Sequence, residues 1–162
     1  MNVKGIVHED FVNYKKPSMF INTSKCSFKC DRECGKPVCQ NSALANSPTH
    51  NIMDAKIIEA YKNNKITKAI VIGGLEPFDT PDELKSFIWG ARFRGVDDDI
   101  VIYTGYTEEE SKEMVAELYR GIENLNNIII KFGRYIPDST SRYDEVLGVT
   151  LASDNQYAKK IS

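Results

Sequence analysis

Thr67-Lys68-Ala69-Ile70-Val71-Ile72-Gly73-Gly74-Leu75-Glu76-Pro77, followed after two residues by Thr80-Pro81-Asp82-Glu83, is the stretch from which the fold is read. Thr67 to Ile72 is a β-branched, apolar run of the kind that forms a buried strand. Gly73 and Gly74 then permit positive φ and close backbone approach. Thr80 stands at the N-cap of a helix, Pro81 at its first position and Glu83 at its third, the pattern of a capping box. Leu84, Phe87, Ile88 and Ala91 recur at helical spacing beyond it. Strand, glycine turn and helix in this order are the repeating unit of a parallel sheet.

The same alternation extends in both directions. Upstream, Ser18 to Thr23 reads as a strand, with an edge strand at Val3 to Val7 before it. Asp54 to Asn63 reads as a helix that turns Ile57, Ile58 and Tyr61 to one side. Downstream, Asp99 to Thr104 is a strand, and Thr107 to Glu110 is a second capping box. Met114, Val115, Leu118 and Ile122 share one face of the helix that follows. Asn127 to Phe132 is another strand and Val146 to Leu151 the last. The fold class is therefore α/β with parallel strands, in a single domain over residues 1–162. Right-handed crossovers put the helices on one side of a curved sheet or on both sides of a flat one. In either case the loops leaving the strands' carboxyl ends gather on one edge, where parallel α/β proteins bind ligands. Four chemically unusual loops fall there: the cysteine loop after Thr23, Gly73 to Pro77, Thr104 to Thr107, and Gly133 to Pro137.

Composition narrows the function classes. The chain has 162 residues, 41% hydrophobic and 27% charged, which is enough for a real core and unlike a disordered polymer. A net charge of -2 gives no overall electrostatic footprint for nucleic acid. The longest apolar runs are short, such as Ala69-Ile70-Val71-Ile72, whereas a membrane span needs about 20 residues. The opening residues Met1 to Gly5 lead into no signal-peptide apolar stretch, so the expected location is cytoplasmic. His8 and His50 lie outside the strand-end motifs and read as surface residues. Asp97-Asp98-Asp99 reads as a solvated turn.

All 4 cysteines lie between Cys26 and Cys39. A disulfide scaffold would spread them along the chain to join distant segments. Their clustering in one polar loop points to a metal site instead. Thiolates suit zinc and iron-sulfur clusters alike. A structural zinc would close its shell with all four of Cys26, Cys30, Cys34 and Cys39. A reactive cluster would use three and leave one iron open. Lys29, Arg32 and Lys36 either favour an anionic complex in this loop or simply solvate it.

The segment Cys26 to Asn41 resembles the signature loop of the radical S-adenosylmethionine enzymes, a CxxxCxxC sequence after the first barrel strand. Cys26 and Cys30 match its first pair. Nothing sits two residues beyond Cys30. Val38-Cys39-Gln40-Asn41 is similar to the surroundings of the third cysteine in the activase branch, which makes Asp31 to Pro37 an insertion. Cys34 is the competing third ligand, or else a spare thiol or a local zinc or redox partner. Gly73-Gly74-Leu75-Glu76-Pro77 is similar to the family's GGEP motif with Leu75 inserted. Tyr103 to Thr107 resembles a segment lining the cofactor pocket. Lys131 to Ile136 and Leu147 to Gln156 look like segments of the small activating proteins of anaerobic ribonucleotide reductase.

The resemblance covers about Phe20 to Gln156 and implies a short, incomplete (β/α) barrel. A full eight-stranded barrel runs about 250 residues. It implies a [4Fe-4S] cluster on Cys26, Cys30 and Cys39, with S-adenosyl-L-methionine held by Val38, Asn41, Gly73, Gly74, Glu76, Pro77 and Thr104. The activity implied is radical generation, as an oxidoreductase that activates a glycyl radical enzyme, with anaerobic ribonucleotide reductase the preferred partner. An electron donor such as flavodoxin or ferredoxin is implied too, and neither nucleic acid nor membrane. The competing readings are a radical enzyme with another substrate and a non-catalytic iron-sulfur or zinc module on the same fold.

Overall fold

The computed structural model describes residues 1–121 and 125–162. Ile122, expected on the apolar face of a helix, lies outside the described residues. The elements run β1 (Asn2–Asp10), β2 (Ser18–Thr23), α1 (Lys29–Cys34), α2 (Ser42–Ala45), β3 (His50–Asn51), α3 (Asp54–Asn63) and β4 (Ala69–Gly73). A 3-10 turn, Pro77–Asp79, leads to α4 (Pro81–Phe93), β5 (Asp99–Tyr103), α5 (Glu108–Tyr119) and β6 (Ile128–Phe132). Three short strands follow, β7 (Arg142–Asp144), β8 (Val149–Leu151) and β9 (Tyr157–Lys160).

Seven of the strands form one sheet in the order β3-β1-β2-β4-β5-β6-β9. The central pairs β2-β4, β4-β5 and β5-β6 are parallel, and the flanking pairs are antiparallel. Register makes cross-strand stripes. Met19, Ile70, Ile100 and Ile128 lie side by side, as do Phe20, Val71, Val101 and Ile129. The first stripe belongs to a core shared with Ile57, Ile58 and Tyr61 of α3, Leu84, Phe87, Ile88 and Ala91 of α4, and Leu118 of α5. The helices thus cover one face, as expected for a curved sheet. The second stripe packs against Tyr14, Leu147 and Leu151 on the opposite face. With both faces covered, every residue of β4 and β6 is buried. Among the described residues, no helix is long and apolar enough to cross a membrane.

Several expectations are corrected. The stretch Val146 to Leu151 does not close the main sheet. Its end, β8, pairs with β7 in a separate hairpin, and the last sheet strand is β9. The β1 strand is longer than Val3 to Val7 and has the two-residue β3 outside it. Asn127 precedes β6 rather than opening it, because it adopts φ 54 and its amide donates to the Asp97 carbonyl. Thr80 caps no helix with its side chain. The preceding 3-10 turn holds it at φ -134, ψ 61, and its hydroxyl donates to Pro77 instead. Glu83 turns to Asn2, accepting from its backbone N–H at 2.7 Å and its side-chain amide at 2.6 Å. The second capping box forms as read, between Thr107 and Glu110. In the aspartate turn Asp97 and Asp98 are exposed as expected, with Asp98 accepting from Tyr61, while Asp99 is half-buried, opens β5 and accepts from Tyr14 and Lys16. His8 and His50 are both exposed.

Asp144 joins the small hairpin to the sheet. It is 5% exposed and accepts from the Leu147 amide at 2.9 Å and the Ala158 amide at 2.8 Å. Asp144→Ala leaves two buried donors unpaired, so urea denaturation should show a loss of about 1–3 kcal/mol per orphaned group. Asp144→Asn, which keeps one acceptor oxygen, should fall between that variant and the parent.

Candidate functional site

The carboxyl ends of β2, β4, β5 and β6 open onto one cavity of about 500 Å³. Hydrogen bonds tie the four strand-end loops to one another in sequence. The Glu76 backbone N–H donates to the Lys25 carbonyl, joining the second loop to the first. Asp79 accepts from the Ser27 amide of the first loop and from the Tyr106 hydroxyl of the third. The Gly133 amide of the fourth loop donates to the Tyr106 carbonyl of the third. The expected convergence of the four loops on one sheet edge is therefore observed.

The cysteine segment is not a plain loop. Phe28 takes a left-handed φ of 53 and starts α1, and Gly35, at φ 65, ends it. The chain then returns to the cavity at Val38. Cys26, Cys30 and Cys39 line the cavity, whereas Cys34 is exposed at the end of α1. Burial pushes the Cys26 and Cys30 thiols up to about 11, and the nearby Cys39 adds to the rise in both. Among the described residues, no three Cys, His, Asp or Glu side chains converge on a single-ion site. The three thiols border a common space instead. The outer side of α1 is fixed by ion pairs. Lys29 meets Glu110, and Arg134 reaches Glu33 at 3.1 Å and Glu110 at 2.7 Å. Lys29 is thus committed to carboxylates, Arg32 donates to the Ser27 carbonyl, and Lys36 is exposed.

Of the residues expected to bind a cofactor, Asn41, Gly74, Glu76 and Thr104 line the cavity together with Leu75. Val38, Gly73 and Pro77 are not among the lining residues. Val38 turns its amide to Asp31, Gly73 ends β4, and Pro77 is buried in the 3-10 turn. Gly74 has φ +79, and a Cβ there would stand 2.4 Å from Asn22 Oδ1 and 2.9 Å from Leu44 Cδ2. Its glycine is thus required by backbone conformation and by those two side chains.

Two buried charges shape the cavity. Glu76 accepts from the Phe78 amide at 3.1 Å, the Thr104 hydroxyl at 2.8 Å and the Gly105 amide at 2.8 Å. Burial nonetheless pushes its carboxyl up to about 7, since removal from water disfavours the charged form more than these bonds favour it. Lys131, on β6, donates to the Gly133 carbonyl at 2.6 Å and stands over the Tyr103 ring. Burial lowers its amine to about 8, and the Glu76 charge partly restores it. In the sequence Lys131 stands within a strand and opens the Lys131 to Ile136 stretch of the resemblance, with no role of its own assigned to it. Its signal was a lysine inside the apolar run Ile128 to Phe132. Asn22 and Gln156 also line the cavity; the sequence marks Asn22 only as part of a strand and Gln156 only as the end of the Leu147 to Gln156 resemblance.

Residues 16–150 match the family model described as a 4Fe-4S single cluster domain. No curated protein and no solved structure matches the chain.

The Glu76 carboxyl predicts a pH dependence. It ionises near 4.5 when unfolded and about 7 when folded, so the native state holds the proton more tightly. Its contribution favours folding fully below pH 4.5 and is lost as pH rises through 7. Glu76→Gln should flatten the fall in stability across that window in denaturation curves taken at successive pH values. It should also cost about 1–3 kcal/mol, because an amide NH₂ would face the Gly105 N–H. An unchanged pH slope would assign the dependence to another group.

Proposed function

Because the chain belongs to the 4Fe-4S single cluster domain family, we propose that Cys26, Cys30 and Cys39 hold one [4Fe-4S] cluster that reductively cleaves S-adenosyl-L-methionine. The observation that supports this assignment is the division among the thiols. Three line one cavity with Gly74, Glu76 and Thr104, while Cys34 is exposed. The donor set fits such a cluster, because three thiolates leave one iron free to take the amino and carboxylate groups of the cofactor. A cluster held by these residues would supply one-electron reduction of a bound sulfonium, the cleavage that separates methionine from a 5′-deoxyadenosyl radical.

The chain's own residues bind and enclose. Gly74 and Asn41 border the space available to the cofactor, Glu76 holds the second and third loops against it, and Thr104 fixes Glu76. The chemistry such a group would supply is abstraction of a hydrogen atom from a glycine Cα of a partner protein, which would leave 5′-deoxyadenosine and a glycyl radical there. Anaerobic ribonucleotide reductase is the preferred partner. A flavodoxin or ferredoxin supplies the electron, in the cytoplasm. The fold is then read as a short, incomplete (β/α) barrel in one radical-SAM-like domain over residues 1–162, its parallel part formed by β2, β4, β5 and β6.

Anaerobic reconstitution with iron and sulfide should give about four iron per chain and a brown protein whose spectrum changes when S-adenosyl-L-methionine is added. Stoichiometric zinc without iron uptake would favour a structural module. A cluster whose spectrum ignores the cofactor would remove the radical chemistry and leave the cluster.

The two candidate third ligands are separated by substitution. Cys39→Ala should lose the cluster and all 5′-deoxyadenosine formation, and Cys34→Ala should keep both. Iron content and product formation measured in the two variants check this, and the reverse pattern would transfer the role to Cys34.

A further inference from the structure

We propose that Asp31 is a positioning residue for the third cysteine, clipping the stretch between Cys30 and Cys39 so that a long interval presents its thiols as a short one would. The inference rests on the cluster reading above. One oxygen of Asp31 accepts from the Val38 and Cys39 backbone N–H groups, each at 2.8 Å. Hydrogen bonds to a carboxylate are stronger than those between neutral groups. The Cys30 thiol lies 3.8 Å from the same oxygen. A single atom therefore links the second cysteine to the backbone that carries the last one.

Asp31 is itself well anchored. It sits in the first turn of α1, whose outer side is tied by Glu33 and Lys29 to Arg134 and Glu110. Position is thus passed from the start of α5 and the loop after β6, through α1, to Asp31 and on to Cys39. The insertion also explains where Cys34 goes. The helix turns it outward as exposed surface while the clip returns Cys39 to the cavity. Groups that orient a metal ligand without touching the metal typically change affinity about 10–100-fold when removed.

Asp31→Ala and Asp31→Asn in the full chain test the clip, since asparagine keeps an acceptor oxygen. In the reduced, iron-free protein, the Val38 and Cys39 amides should exchange with deuterium about tenfold faster in Asp31→Ala and near the parent rate in Asp31→Asn. The buried Ile100 amide serves as a folding reference. After reconstitution, a chelator should strip iron from Asp31→Ala about tenfold faster than from the parent, with Asp31→Asn close to the parent. If Asp31→Ala fails to fold, Asp31→Ser, whose hydroxyl is too short to reach, is judged by the same two readouts. A parent that loads while Asp31→Ala exchanges and releases iron at parent rates overturns the role of Asp31 and leaves the cluster reading standing. A parent that takes up no cluster overturns both.

Discussion

One buried carboxylate organises the working edge of this sheet. Glu76 accepts two backbone amides and one hydroxyl, drawn from its own turn and from the loop after the neighbouring strand. Parallel strands do not by themselves fix the loops beyond their ends, because the ladder of hydrogen bonds stops where the loops begin. Glu76 extends the coupling between β4 and β5 past that point, and its own backbone extends it to the cysteine segment. Burial makes this anchor costly to ionise, yet its three donors need an acceptor. A neutral side chain of the same shape lacks a second oxygen for the third donor.

The two faces of the sheet divide the work. One is sealed by α3, α4 and α5 over an isoleucine-rich layer, which supplies the main core. The other is covered by a thinner layer, with Tyr14 from the β1-β2 connection and Leu147 and Leu151 from the hairpin region. The cavity lies on this lightly covered side, with Phe20, Tyr103 and Lys131 of the strands in its wall. A strand residue that would be out of place under the helices, a lysine, is tolerated here because a carbonyl and an aromatic face receive it.

Much of this was legible in the sequence where local chemistry is decisive. The β-branched runs at Ala69–Ile72 and Ile128–Phe132 and the periodic helix faces at Ile57–Tyr61 and Leu84–Ala91 fixed their elements, because burial on both sides or on one side leaves such patterns. Features set by distant partners were not legible. Thr80 and Glu83 carry a capping signature, but a 3-10 turn and Asn2 claim them. The β9 strand is four residues with one small buried side chain, too short for a periodic signal. In the cysteine loop the clustering was plain, whereas the exposure of Cys34 and the return of Cys39 depend on a helix and a carboxylate contact inside the insertion.

The ends of the main sheet carry a consequence for self-association. At one end β3 is only two residues long, His50 and Asn51, both exposed. At the other, β9 presents Lys159 and Lys160, with Lys159 paired to Glu108 across to α5. Short edges and edge lysines are what keep unpaired strand groups from recruiting a strand of another molecule. The apolar interior strands, among the most β-prone segments of the chain, are flanked on one side by the short, lysine-bearing β9. On the other side lies β1, which β3 covers only at Asn2 and Val3 and whose pairing with β2 is broken by register shifts at Val3/Gly5 and Val7/Asp10. Intermolecular strand pairing, and the fibrous or amorphous aggregates that grow from it, would find their native foothold at the irregular outer edge of β1 rather than at β9, and would reach the apolar interior strands only from a sheet already torn open.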